Sequence, residues 1–265
     1  MALYNKQVSA LGSTDYRVYF YKDGHPISPF HDIPLWADKE KGIANMVVEI
    51  PLGTRPKLEI SRDAPLNPIK QDVKKGALRY VHDPYPFNYG AFPQTWESPF
   101  VVDPNTQAKG DNDPLDVVEI SGKPRKTGDV VQVKILGTYA MIDEGETDWK
   151  IVTIDVNDPL AAQLNEHSDI PKEVTEKVFT FLRDYKIPDG NPPNKFAFNN
   201  ELKDRAFALK VTHEIHEQWV GLIRGDHGDK AVISLTALEN GKKISPADAE
   251  AVVVSQFKSY LQNKL

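Results

Sequence analysis

Between Gly110 and Val117 the chain reads Gly-Asp-Asn-Asp-Pro-Leu-Asp-Val, which brings the carboxylates of Asp111, Asp113 and Asp116 into one short stretch. At ~4 Å and an effective dielectric near 20, each like-charged pair costs about 4 kcal/mol before screening. A folded chain must therefore protonate such groups, spread them into water or supply cations. Further along, Asp143-Glu144-Gly145-Glu146-Thr147-Asp148-Trp149-Lys150 is a second dense acidic segment. If the two segments meet, they form an all-oxygen site suited to hard divalent cations such as Mg2+ or Mn2+. Metals sharing one water would lower its pKa from ~15.7 towards ~7, and an aspartate beside it can accept a proton. Lys57, Arg79, Lys150 and Lys186 are cations able to hold an anionic partner. Metals together with Lys and Arg around acids point to phosphate, where catalysis is positioning and charge neutralisation. The residues alone lead to a metal-dependent phosphoryl hydrolase.

Plainer readings compete. A lone Asp-x-Asp is most often a turn, because short carboxylates bond to nearby backbone amides. An EF-hand loop counted from Asp111 fails, with Leu115 at its fifth position and Gly122 at its twelfth. A solvated charged face also fits poorly, since Asp116 is embedded in Pro-Leu-Asp-Val-Val. His213 and His216 stand three apart where a zincin helix needs four, and are expected to be solvated. Asp158-Pro159-Leu160 has no third acid and reads as a helix start. There is no nucleophilic serine elbow and no glycine-rich phosphate loop.

The elements that must position these groups change character along the chain. Asp15 to Tyr21 reads as a strand ending at the hairpin signal Lys22-Asp23-Gly24. Met46–Ile50 and Lys57–Ile60 follow; in the second, alternation sets Leu58 and Ile60 on one face and Lys57 and Glu59 on the other. Leu115–Ser121, Val130–Leu136 and Lys150–Val156 complete a set of short strands whose spacing suits a small barrel. Beyond Asp158 the period becomes helical: a short helix over Leu160–Glu166, a longer one over Pro171–Tyr185, another from Glu201 to Ile223, and a last one opening at the capping-box residues Ser245 and Asp248 and running to about Leu261. The expectation is one domain over residues 1–265, α+β and mainly β, with a barrel core over about 40–160 and peripheral helices over about 160–262.

Composition excludes several classes. With 265 residues, 40% hydrophobic and 26% charged, the chain can bury a sizeable core. A net charge of -6 argues against a sequence-independent nucleic-acid binder. The absence of cysteine removes disulfides, thiolate catalysis and cysteine-built zinc sites, and is compatible with a reducing compartment. No apolar run resembles a signal-peptide core or a membrane span, so the expected location is cytoplasmic.

Asp111-Asn112-Asp113-Pro114-Leu115-Asp116-Val117 resembles the signature of family I soluble inorganic pyrophosphatases. Phe30–Leu35, Asn45–Pro51, Lys57–Ile60, Asn88–Glu97, Asp143–Lys150 and Tyr185–Gly190 resemble segments of the family's eukaryotic-type branch. The resemblance runs from about residue 15 to about residue 225 and implies an OB-like, five-stranded twisted barrel that hydrolyses pyrophosphate to two orthophosphates through a metal-bridged hydroxide. Mg2+ is the implied cofactor, several ions per site, with Mn2+ or Zn2+ as substitutes and Ca2+ as an inhibitor.

Carried over by residue, the resemblance implies that Asp111, Asp116 and Asp148 bind a first metal and that Asp116 bridges to a second. Asp143 and Asp148 would hold a third and Glu59 a fourth, while Glu49 and Glu97 support waters in the metal shell. Asp113 would be the general base. Lys57, Arg79, Tyr89, Lys150, Tyr185 and Lys186 would hold the phosphates, and Tyr85 aligns with a tyrosine sometimes assigned as proton donor, with a plain packing aromatic as the equal alternative. Three departures stand out, one of them the segment after Gly225, which matches nothing in the branch's pattern and whose helix is expected to serve packing or subunit contact. Tyr80–Asn88 is shorter than the branch's pattern, and Leu52-Gly53 replaces a basic-aromatic pair of its dimer contact, which leaves the usual homodimer open. An OB-type module for single-stranded nucleic acid would instead need a basic groove with stacking aromatics.

Overall fold

Five strands close into a ring in the computed structural model, which describes residues 3–262. In chain order the strands are β1 (Leu3–Val8), β2 (Arg17–Lys22), β3 (His25–Ile27), β4 (Trp36–Asp38), β5 (Ile43–Ile50), β6 (Leu58–Ile60) and β7 (Ile69–Gln71). A small hairpin, β8 (Val73–Lys74) and β9 (Ala77–Leu78), precedes β10 (Asn88–Ala91), β11 (Asp116–Glu119), β12 (Val130–Asp143) and β13 (Glu146–Asp155). The short pieces β14 (Lys195–Phe196), β15 (Thr236–Ala237) and β16 (Lys242–Lys243) are interspersed with helices α1 (Lys172–Asp184), α2 (Arg205–Arg224) and α3 (Pro246–Gln262). No described helix is long and apolar enough to cross a membrane.

The ring runs β12-β13-β11-β10-β5 and returns to β12. One long strand makes the closure. Its first part pairs with β5, from Val130 opposite Val47 to Lys134 opposite Ile43. It pairs with β13 on its other edge from Val133 opposite Asp155 to Asp143 opposite Glu146. Just past the end of the β5 pairing, the β13 register shifts at Ile135/Gly137, the bulge that lets a strand turn a barrel corner. A side chain at Gly137 would lie 2.6 Å from the Lys203 carbonyl, so the bend also needs glycine. All ring pairs are antiparallel except β11 with β13. A second sheet, ordered β1-β2-β7-β6 with β3 on β2, stands beside the ring.

Alternation along the ring strands divides the core. Trp149 and Ile151 of β13 pack with Val117 and with Ala208, Val211 and Ile215 of α2. Val152 and Ile154, on the opposite face, pack with Val118, Tyr139 and Val178 and Leu182 of α1. Asp148 and Lys150 belong to the Val152 set by the period of two, so the apolar face beside α1 turns polar towards the start of β13.

The strand expectations are met in kind and corrected in extent. The β2–β3 hairpin turns at Asp23 and Gly24, both at positive φ as a two-residue turn of this hand requires. The strand placed at Val130–Leu136 continues through the bulge to Asp143, and that placed at Lys150–Val156 starts at Glu146. The strands around Asp15–Tyr21 and Lys57–Ile60 lie in the second sheet rather than the ring, and β10 takes a ring position. The helix read over Leu160–Glu166 contracts to one 3-10 turn, Pro159–Ala162, capped by Asp158. It stops there because the amides of Asn165 and Glu166 donate to Asp169 Oδ2 instead of to the preceding turn. The helix read from Glu201 begins at Arg205, where Asp204 caps it, and ends at Gly225 at φ 85°. His213 is exposed as expected, whereas His216 is half-buried: its ring nitrogen Nδ1 lies 2.7 Å from the Gln94 carbonyl, and it stacks on Trp219.

The chain after Gly225 is held by two buried residues, His31 and Asp32. The Asp32 carboxylate accepts from the amides of Ser28, Leu238, Glu239 and Asn240. The α3 residues Ala249 and Val253 then pack on Tyr19, Tyr21 and Leu66.

Candidate active site

The parallel pair β11–β13 places the first charges. Asp116 stands opposite Lys150 in register, and the buried Lys150 ammonium donates to both Asp116 Oδ2 and Asp148 Oδ1. From β10, the Tyr89 hydroxyl donates to the same Asp116 oxygen at 2.5 Å. Burial opposes charge on Asp116, yet Lys150, Lys57 and these hydrogen bonds hold its carboxyl below the usual range.

A backbone clasp supplies the other acids. The loop after Gly110 lies on the Glu97–Ser98 segment: Asn112 N donates to Glu97 O at 2.8 Å, Glu97 N to Asp113 O at 2.9 Å and Gly110 N to Ser98 O at 3.1 Å. A Cβ on Gly110 would sit 2.3 Å from the Glu97 carbonyl carbon, so only glycine allows this approach. The clasp brings carboxylate oxygens of Glu97, Asp111 and Asp148 all within 4.8 Å of one another. Burial raises the Glu97 carboxyl well above its ordinary value, helped by repulsion from Asp111 and Asp148. Burial and the neighbouring aspartates do the same to Asp111 and push Asp148 up to about 7. Loss of water around Asp113 lifts its carboxyl to about 6, against the pull of Arg62.

The remaining expected residues gather around this floor. Lys186, following α1, bonds Asp143 and lies 3.7 Å from Glu144. Lys57 stands 5.7 Å from the Tyr89 ring centre, and its ammonium, opposed by burial, is raised by Tyr85, Glu59 and Asp116. Glu49 is buried and accepts from Ile60 N at 2.7 Å; burial and the Asp116 charge raise its carboxyl. Glu59 faces Lys70 at 4.0 Å, and Arg79 pairs with Asp72 at 3.0 Å. Tyr85 is 3% exposed, with its ring against Phe87, Tyr89 and Phe181, and Tyr185 stacks on Phe181. Tyr85 thus belongs to an aromatic wall between the floor and α1.

The acidic segment Asp143–Asp148 resolves into two parts. Glu144 and Gly145, both at positive φ, form the tight β12–β13 turn, and Glu144 and Glu146 are exposed. Only Asp143 and Asp148 turn to the site.

The donor set fits hard divalent cations. It is built of carboxylate oxygens alone. Glu97 Oε2 and Asp143 Oδ1 are buried with no hydrogen-bond partner among the described residues, a costly arrangement that a cation would relieve. The tightest oxygen group contains Glu97 with Asp111 and Asp148, whereas Asp116 faces Lys150 and Tyr89.

A sequence model described as inorganic pyrophosphatase matches residues 46–220. The chain belongs to the inorganic pyrophosphatase family. An inorganic pyrophosphatase of Dictyostelium discoideum is 54% identical over 254 residues, spanning 95% of this chain and 91% of that one. Among solved structures, the inorganic pyrophosphatase of Schistosoma japonicum superposes with a TM-score of 0.85 at 43% identity, covering 92% of this chain and 88% of that chain. An N-terminally truncated vacuolar soluble pyrophosphatase of Trypanosoma cruzi, solved in complex with PPi, gives 0.80 at 40% identity, covering 84% and 92%.

The fold is therefore the OB-like pyrophosphatase barrel, and the chain is a hydrolase that converts pyrophosphate to orthophosphate. The family is metal-dependent, in keeping with the acidic group just described. Sequence reasoning passed over two charged neighbours of this pyrophosphatase site. Asp72, the partner of Arg79, sits in the polar Gln71–Lys75 run. Arg62 follows the Lys57–Ile60 strand after Ser61 and reaches Asp113 at 2.9 Å. Alternation along β6 set Lys57 and Glu59 on the site face, but it cannot be extended past the strand's end at Ile60.

Proposed function

We propose that Mg2+ supports pyrophosphate hydrolysis here and that Asp113 accepts the proton of the attacking water. When bound, Mg2+ would supply Lewis acidity and a water acidic enough to attack at neutral pH. Asp111, Asp116 and Asp148 would hold it, with Asp143 and Glu59 serving further ions and Glu49 and Glu97 fixing waters around them. The observation carrying the base assignment is the place of Asp113: next to the acid group yet outside its tightest trio, with a carboxyl near 6. A base poised close to the working pH combines the deprotonated state with useful basicity.

The cations divide the rest of the work. Lys57, Lys150 and Lys186 crowd the floor of the cleft and would neutralise the two phosphates, with Arg79, Tyr89 and Tyr185 fixing their orientation. The buried Tyr85 and Tyr89 would exclude bulk water from that side, and Tyr85 would hand a proton towards the leaving phosphate. Burial favours the protonated form, raising the Tyr85 hydroxyl against the pull of Lys57, with Asp116 adding to the rise.

The whole chain acts as one catalytic domain in this reading, in the cytoplasm. A homodimer would lack the basic-aromatic pair of the branch's contact, because Leu52-Gly53 stands in its place. Those residues sit in a turn tied inward, with Leu52 N donating to Asn88 Oδ1 and Gly53 N to Tyr85 O. Orthophosphate release from pyrophosphate tests the proposal: it should be fast with Mg2+ and abolished by EDTA. Release that persists in EDTA would overturn the metal's role.

A further inference from the structure

The acid loop is clasped on its inner side by Glu97 and Trp96, whose indole Nε1 donates to Asn112 Oδ1 at 2.8 Å. On its outer side the Arg62 side chain spans it. Arg62 Nε lies 2.9 Å from Asp113 Oδ1, and Nη1 of the same guanidinium lies 3.4 Å from the carbonyls of both Asp111 and Asn112. One planar fork thus touches the carboxylate and the two peptide groups that precede it. A flexible lysine cannot reproduce that geometry.

The base of this fork is anchored. The Arg62 carbonyl accepts from Ser234 N at 2.5 Å and from Asn67 Nδ2 at 3.3 Å. Asn67 is fully buried and accepts from Ser28 Oγ at 2.8 Å, and its Nδ2 also lies 3.2 Å from Ser234 O. His31 Nε2 lies 2.9 Å from that same Ser234 oxygen. A surface arginine with a half-exposed partner usually contributes little. Here the main chain beneath it is fixed by two distant segments, so the fork meets the loop from a rigid origin.

We propose that Arg62 is a positioning residue for the reaction. It pins one oxygen of Asp113 and the Asp111–Asn112 backbone, which leaves the second Asp113 oxygen aimed at the attacking water. The C-terminal segment that carries Ser234 is part of this support. The inference rests on Asp113 as proton acceptor and extends that reading to the residue that orients it. Losing the pin lets the acceptor swing, and a misplacement of about 1 Å can cost on the order of 10²-fold in rate.

The test uses the full-length enzyme with Arg62→Gln and Arg62→Lys, each alone and with Asp113→Asn. Four quantities are read: kcat, KM for magnesium pyrophosphate, Mn2+ affinity by electron paramagnetic resonance, and the thermal midpoint. Arg62→Gln should lower kcat roughly 10- to 100-fold while leaving KM, Mn2+ affinity and midpoint close to those of the parent. Arg62→Lys should recover part of the loss. In the Asp113→Asn background, Arg62→Gln should have almost no further effect, because the group it positions is gone. A rise in KM with kcat unchanged would make Arg62 a substrate ligand and overturn the proposal. An undiminished Arg62→Gln effect in the Asp113→Asn background would overturn it while leaving Asp113 as the acceptor. Full turnover by Asp113→Asn alone would instead remove the acceptor assignment, and this inference with it.

Discussion

Asp116 and Lys150 face each other across the ring's one parallel strand pair, and the lysine's ammonium also bonds Asp148. Two acids and one cation are thereby locked at the same depth. Lys150→Met would keep much of the bulk and remove the charge. Breaking a buried ion pair by deleting one partner costs about 3–5 kcal/mol, so urea unfolding of the metal-free variant should show a loss of that order. Added Mg2+ should restore part of it by replacing the missing cation. An unchanged midpoint would mean that water already screens the two carboxylates.

Asp113→Asn should retain metal binding and lose turnover by the general-base factor, roughly 10²- to 10⁴-fold. Steady-state kinetics beside a Mn2+ titration separates the two. Turnover equal to the parent's would move the proton acceptor elsewhere.

The raised carboxyls give the metal-free protein an unusual pH response. Asp148 and Asp113 titrate near 7 and 6 in the fold, against an ordinary 3.8. Between about pH 4 and 7 the folded chain therefore holds protons that the unfolded chain has released. The slope of unfolding free energy with pH follows bound protons in the unfolded state minus those in the native state. That difference is negative here, so these groups make stability fall as pH rises through this window. In EDTA the thermal midpoint should be higher at pH 5 than at pH 7.5. With Mg2+, which would bind the deprotonated acids, the advantage should shrink or reverse. Calorimetry with and without metal decides it, and an EDTA midpoint that climbs towards pH 7.5 would contradict the account.

Ca2+ should compete for the acids without supporting turnover. It takes more oxygens at 2.3–2.6 Å with loose geometry, where Mg2+ demands a compact octahedron, and the resulting shift misplaces the nucleophile. Adding Ca2+ to the Mg2+ enzyme should inhibit phosphate release. Equal rates with either ion would rule this explanation out.

The sequence carried the site further than the scaffold. The spacing of Asp111, Asp113 and Asp116 marks chemistry because that density of like charge must be relieved by protonation, by water or by a cation. Alternation in Lys57-Leu58-Glu59-Ile60 read correctly, since Leu58 and Ile60 are buried and Glu59 is turned away from them. The barrel was less legible. β10 is only Asn88–Ala91, too short and too glycine-rich to show a period, yet it sits in the ring. β12 joins two pairings through a bulge, and a bulge cancels the alternation that would reveal one continuous strand. Five of the six residues of Leu3–Val8 are exposed, so burial leaves little trace in their sequence. The clasp of Gly110 on Glu97 and the reach of Arg62 to Asp113 are contacts between distant parts of the chain, which local pattern does not encode.

The Gly137 bulge has a consequence for how this enzyme can vary. A closed ring works as a gauge: its circumference is set by strand number and stagger, so the gap between Asp116 on one strand and Lys150 on the next is fixed by main-chain spacing rather than by any loop. Loops at the rim can then lengthen or shrink without recalibrating the grip on a molecule as small as pyrophosphate. A change that straightened β12 at Gly137 would do the opposite, leaving every site residue in place in the sequence while shifting Asp143, at the strand's far end, against the rest.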